Sequence, residues 1–146
     1  MTDLFDRIKL LKQSSIFSGV DTDDLRFVAQ SLQEEIYFMG DRIFDLNDYG
    51  DELYIITTGK VGISLTSQIV NDKYIAVLET GDCFGEMNLL DGLPRSASAH
   101  VIEDSNLLTL SKTNLRGLIL SYPEISLGML RTLSLKLRHT NKVTRG

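Results

Sequence analysis

Residues 81–97 read Gly-Asp-Cys-Phe-Gly-Glu-Met-Asn-Leu-Leu-Asp-Gly-Leu-Pro-Arg-Ser-Ala, and they place an acid, an arginine and a glycine within reach of one ligand. Phe84-Gly85-Glu86 reads as the end of a strand, and Met87 to Asp91 as one helical turn. Gly85 has no Cβ, so the main chain can approach a ligand closely, and the free N–H groups of the turn suit an anion. Arg95 follows Pro94, which fixes its approach, and its guanidinium suits a two-pronged grip on phosphate. Glu86 is the wrong charge for a phosphate ligand but is a good acceptor for a sugar hydroxyl. Acid, amides and arginine together describe a ribose-phosphate pocket. At this level a second reading stays open: Glu86 and Arg95 form a salt bridge over a tight turn and bind nothing.

No other group of residues carries chemistry. Asp45, Asn47, Tyr49 and Gly50 approach a calcium-loop pattern, but Tyr49 stands at the fifth position and Ile56 at the twelfth, where a bidentate Glu is needed. His100 and His139 are far apart in sequence and read as surface or hydrogen-bonded side chains. Cys83 reads as a buried small hydrophobe. No Ser/His/Asp or Cys/His set is present, so no catalysis and no cofactor are expected.

The elements that must position residues 81–97 fall into three regions. Leu4, Ile8 and Leu11 recur at helical spacing; after the Ile16–Val20 break, Asp21 reads as the N-cap of a helix bearing Leu25, Val28, Ala29 and Leu32. From about 35 to 110 the period becomes two: Val61, Ile63 and Leu65 alternate with Gly62, Ser64 and Thr66, and Ile75 and Val77 alternate likewise. Gly40, Gly50, Gly59, Gly81 and Gly92 punctuate these strands about every ten residues, the signature of a sandwich, jelly roll or barrel. Beyond Ser111 a short helix ends at Pro123, and a longer one runs from Glu124 towards Val143. Leu127, Met129, Leu130, Leu133 and Leu137 share one face of it.

Composition narrows the class further. The 146 residues are 42% hydrophobic, with a single cysteine and a net charge of −5. This is an ordinary globular balance for one domain, with no disulfide framework and no multi-cysteine metal site. No apolar run spans a membrane and residues 1–12 are too charged for a signal peptide, so a cytoplasmic protein is expected. Residues 112–146 hold seven Lys/Arg and one acid, while residues 1–111 hold eight Lys/Arg and nineteen acids. An acidic body of this kind argues against wrapping a nucleic-acid backbone.

Phe84-Gly85-Glu86-x-x-Leu89-Leu90-x-x-x-Pro94-Arg95-Ser96-Ala97 resembles the phosphate-binding cassette of cyclic-nucleotide-binding domains, of the catabolite-activator and cyclic-AMP-dependent kinase regulatory-subunit type. Ile16-Phe17-Ser18-Gly19-Val20 and the run from Gly50 to Val61 resemble the family's flanking segments. The resemblance implies a mainly β fold with flanking α: an eight-stranded β-roll (jelly-roll-like, a double-stranded β-helix) with N-terminal helices and a long C-terminal helix. A single domain over 1–146 is expected, with helices in 1–34, the roll in 35–110 and helices again in 111–146. It also implies roles for residues 84–97. Gly85 and the amides of Glu86, Met87 and Asn88, beside Phe84, would hold the cyclic phosphate that Arg95 neutralises. Glu86 would accept the ribose 2′-hydroxyl, Ser96 would bond a phosphate oxygen or the base edge, and Ala97 would act through its backbone. Thr140 and Asn141 sit where the long helix meets adenine in that family. The sequence departs from the pattern at Asn88 (usually alanine, read here as solvent-facing), at Asn47 (usually glycine, though asparagine tolerates a positive φ) and at Tyr49 (usually proline).

The expected function is a cyclic-nucleotide receptor for cyclic AMP, with cyclic GMP as the alternative ligand. It would signal through its C-terminal helix to an unidentified protein effector. The chain reads as a bacterial stand-alone receptor or an excised regulatory domain, with no DNA-binding segment of its own. Two rival readings are part of a transcription regulator and a nucleotide-free interaction module of the same fold. Leu130, Leu133, Leu137 and Thr140 fall at coiled-coil spacing, so a weak homodimer through the C-terminal helix is expected.

Overall fold

The computed structural model describes residues 2–65 and 74–145, and the side chains as far as 140. The chain divides into two compact units, one comprising 32–113 and the other 2–31 with the segment from 114 onward.

The first unit is an antiparallel sheet built on two long strands. β1 (Gln33–Tyr37), β2 (Arg42–Phe44), β3 (Glu52–Ser64), β4 (Ala76–Leu78), β5 (Cys83–Phe84) and β6 (Ser98–Ser111) run in chain order, with helix α3 (Glu86–Asp91) between β5 and β6. β3 and β6 pair along most of their length; β1 and β2 pair with β6, and β4 and β5 with β3. The register of β3 on β6 shifts between Ile56 and Val61. Gly59 lies at that shift with φ +105°, and a Cβ there would collide with Ser105. The pair therefore bends at Gly59 without breaking. This corrects the expected strand count, because among the described residues there are six strands and not eight. Glycine punctuation at Gly59 looks like a strand end in sequence, yet the ladder passes straight through it.

Alternation matches burial only in part: Val61 is buried and Ile63 packs on the core. Leu65, Ile75 and Val77 are exposed, while Gly62 and Ser64 are buried. A Cβ on Gly62 would meet the ring of Tyr74, so an aromatic side chain covers the position where the backbone has none. The core of this unit is Tyr54, Ile56, Val61, Phe84, Ala99 and Leu107, with Tyr37, Ile43, Phe44, Ile63 and Leu78 packed on it.

The second unit is helical. α1 (Leu4–Gln13) is capped by Asp3, whose carboxylate accepts from the Asp6 N–H at 2.8 Å. α2 (Thr22–Ser31) buries Leu25, Val28 and Ala29. α4 (Lys112–Ser121) stops before Pro123, and α5 spans Glu124–Arg145. Phe27 of α2 stacks on Tyr122 with ring centroids 3.9 Å apart. The buried stripe of α5 is Ile125, Met129 and Thr132, with Gly128 between them, whereas Leu127, Leu130 and Leu137 are exposed. The face read from the sequence therefore packs only in part, through Met129, and leaves Leu127, Leu130 and Leu137 out. Gly128 decides the matter: its missing side chain lets Gly19 and Val20 lie against the helix backbone, and Thr132 Oγ1 accepts from the Gly19 N–H at 2.8 Å.

Two helix glycines should consequently respond in opposite ways to alanine. Gly117 in α4 has nothing within 4 Å of an added Cβ, so Gly117→Ala should stabilise by about 0.5–1 kcal/mol. At Gly128 the same atom would lie 2.7 Å from Val20 Cα, and overpacking of about 1–3 kcal/mol outweighs that gain. Urea denaturation of the two variants checks both signs.

Candidate functional site

The site is built around Arg95, which lies in the connection between α3 and β6 and is only 2% exposed. Its backbone is held on both sides by one turn: Arg95 N–H donates to Asp48 O at 2.7 Å, and Asn47 N–H donates to Arg95 O at 2.8 Å. Asn47 takes φ +73°, as its short polar side chain allows. The guanidinium lies over the Phe44 ring, 4.2 Å from its centroid. Nη2 donates to Glu52 O at 2.9 Å, and Nη1 donates to Gly85 O at 3.0 Å and to Asn88 Oδ1 at 3.2 Å. Nε is buried with no acceptor. Two glycines make room for this side chain, since a Cβ on Gly50 or on Gly85 would land on the guanidinium.

Gly85 joins β5 to α3 with φ +81°, a conformation that other residues rarely adopt. Beside it opens a recess of about 210 Å³. Seven of the residues expected at the site line it: Phe84, Gly85, Glu86, Met87, Asn88, Ser96 and Ala97. Arg95 lies behind this wall and meets it through Gly85 and Asn88. Among the described residues the carboxylate of Glu86 has no hydrogen-bond or ion-pair partner. The salt bridge to Arg95, which the sequence left open, is absent.

Three expectations are corrected or extended. Asn88 is no idle solvent-facing residue: Nδ2 donates to Leu93 O at 3.0 Å and to Pro94 O at 2.8 Å, while Oδ1 accepts from Arg95. Cys83 is half-buried and lines the recess instead of filling a core. Phe44 and Ile63 also line it, and sequence reading missed both. Their only signal was membership of apolar strands, which many residues share. Thr140 belongs to the second unit, exposed on α5, where it borders a groove of about 430 Å³ with Ser18, Thr132 and His139. The side chain of Asn141 lies outside the described residues.

Burial and acidic neighbours shape the electrostatics. Desolvation pulls Arg95 below its ordinary value, opposed by Tyr54, Glu52, Asp51 and Asp48, so the guanidinium stays a cation. Burial, then Glu35 and Asp51, push the Glu52 carboxyl up. Burial, then Glu52, push Tyr54 up to about 12. Tyr37 is raised too, by burial and by its hydrogen bond to Glu35. Among the described residues no cluster of His, Cys, Asp and Glu is arranged to hold a metal ion. No described helix is long and apolar enough to cross a membrane.

The sheet is that of a β-roll, with the recess and the buried arginine at one wall. The profile of the family described as "Cyclic nucleotide-binding domain" matches residues 34–122, and the chain belongs to that family. It is 32% identical over 133 residues to a CRP-like cAMP-activated global transcriptional regulator of Mycobacterium tuberculosis, covering 91% of this chain and 59% of that protein. It is 33% identical to the cyclic AMP receptor protein of Thermus thermophilus, covering 90% and 61%. The chain thus spans about three-fifths of the length of these relatives. In structure it matches the N-terminal domain of a transcriptional regulator from Streptomyces coelicolor A3(2), with a TM-score of 0.81, 30% identity, and 92% and 93% of the two chains covered. It also matches the regulatory domain of Toxoplasma gondii PKA, solved with cAMP, with a TM-score of 0.71, 25% identity, and 81% and 46% covered.

The raised phenol sets an alkaline limit. Tyr54 binds its proton more tightly folded than unfolded, so its contribution to stability is complete below its ordinary value of 10 and is lost as pH rises towards about 12. Tyr54→Phe keeps the ring stacked on Phe84 and should flatten this fall, read as the urea midpoint against pH from 9 to 12.

Proposed function

We propose that this chain is a receptor module for a 3′,5′-cyclic nucleotide, cyclic AMP in preference to cyclic GMP, and that it binds without catalysing a reaction. The observation that carries the reading is the recess in which Gly85, an unpaired Glu86 carboxylate and Ser96 meet in front of a buried arginine. A cation this deep suits an anion, and a carboxylate with no partner among the described residues suits a hydroxyl donor. About 210 Å³ is below the roughly 300–1,000 Å³ of sites that enclose a whole drug-sized ligand. It suits the sugar and cyclic phosphate and leaves the base outside, beside Ser96. The preference for cyclic AMP rests on Ser96 following the arginine and on the relatives named for cAMP. The response would pass to α5 and an effector through the ligand's differential affinity for two arrangements. A cytoplasmic setting, bacterial origin and regulation of transcription in a longer protein accord with these relatives.

Calorimetric titration with cyclic AMP and cyclic GMP tests the reading. Binding of cyclic AMP is expected, and absence of binding by either nucleotide overturns it. Glu86→Gln should weaken cyclic AMP by about tenfold, 1.4 kcal/mol. It should weaken the 2′-deoxy analogue much less, because the hydroxyl that Glu86 accepts from is missing there. Equal losses would mean that Glu86 does not read the ribose.

The exposed leucines of α5 favour pairing with a second copy. Leu130 and Leu137 are 60% and 63% exposed on a helix of 22 residues. Leu130→Glu combined with Leu137→Glu should convert a concentration-dependent dimer into a monomer in sedimentation velocity. A wild type that stays monomeric at high concentration, with and without cyclic AMP, removes the proposal.

A further inference from the structure

The three acceptors on Arg95 are not equivalent. Gly85 O and Glu52 O are main-chain groups at the ends of β5 and β3, which pair through Tyr54 and Phe84. Glu52 O is set by the pairing of β3, and Gly85 O by the turn that follows β5. Asn88 Oδ1 is a side-chain atom, a neutral acceptor at the longest of the three distances, 3.2 Å. Asn88, like Gly85, lines the recess and bonds the cation behind it, but it makes that bond through its side chain. Its orientation is fixed, because Nδ2 faces the two carbonyls of Leu93 and Pro94 and only Oδ1 can meet Arg95.

From this arrangement, and resting on the reading of the recess as a cyclic-phosphate site, we propose that Asn88 is a latch on Arg95. It occupies, in the ligand-free protein, the Nη1 donor that a phosphate oxygen takes in the complex. Binding then exchanges an amide oxygen for an anionic one while Gly85 O and Glu52 O stay in place. An anion makes the stronger bond to a guanidinium, so the exchange runs forward. The amide must still be given up, so the asparagine lowers affinity. It also shelters a buried cation whose Nε already lacks an acceptor, so it stabilises the empty protein.

The two effects give the latch a signature that a purely structural asparagine lacks. Asn88→Ala leaves Nη1 short of an acceptor only when the recess is empty. It should lower the melting temperature of the ligand-free protein and tighten cyclic AMP by about tenfold, 1.4 kcal/mol. Asn88→Ser, whose hydroxyl is too short to reach Nη1, should tighten it in the same direction and serves if the alanine variant folds poorly. Calorimetry with cyclic AMP and cyclic GMP on the wild type and both variants reads the outcome. Tighter binding with a lower ligand-free melting temperature supports the latch. A wild type that binds, with folded variants whose affinity is unchanged or weakened, overturns the latch alone. A wild type that binds neither nucleotide overturns the functional reading and the latch with it. Loss of folding in both variants makes Asn88 structural and also overturns the latch.

Discussion

A positive charge buried to 2% exposure organises the β unit. Removing a guanidinium from water is costly unless its donors meet acceptors, and Arg95 meets three. Two of them come from the ends of β3 and β5, so the cation ties together the strands that flank the recess. The turn at Asn47 and Asp48 fixes its backbone, and the Phe44 ring covers its face. Space for it exists because Gly50 and Gly85 have no side chains. Sheet ends, turn, ring and glycines each serve one group.

The charge also explains why acids gather here without bonding it. Asp48, Asp51 and Glu52 lie close enough to favour the guanidinium, yet its three hydrogen bonds go to oxygens that carry no formal charge. A carboxylate in direct contact would neutralise the cation and compete with any anion from the recess. Carbonyl and amide oxygens satisfy the hydrogen bonds and leave the charge in place. Glu86, on the recess wall, has no side-chain partner among the described residues.

The long strands matter to the site because they fix where its parts lie. β3 supplies Glu52 O at one end and, beyond the bend at Gly59, Ile63 to the recess wall. β5 lies on β3 at Tyr54 and Ile55, which places Phe84 in the aromatic cluster with Phe44 and Tyr54. Gly85 therefore starts from a rigid platform, and its backbone can turn sharply without moving the wall.

That residues 84–97 come together around one recess was legible because their meaning is local: a glycine, an acid and an arginine at short spacing, with a proline fixing the last. Gly85, Glu86, Ser96 and Ala97 needed only chain proximity to meet. The same holds for the helix stop at Pro123 and the positive φ of Asn47, which are properties of single residues. What the sequence could not show was set by residues distant in the chain. Phe44 and Glu52 reach Arg95 across about 40 to 50 positions, through strand pairing that no local period encodes. Alternation found the strands and, at Val61 and Ile63, the buried side, but Tyr74 covers Gly62 while Ile75 and Val77 stay in water. The buried stripe of α5 likewise followed Gly128, because close approach of Gly19 and Val20 to its backbone overrode the leucine periodicity. Asn88 read as a tolerated substitution because its three partners, Leu93, Pro94 and Arg95, converge only after the loop has closed. Local chemistry was written in the order of the residues; which oxygens would surround the buried charge was decided by the fold, because satisfying that charge takes groups from separate strands.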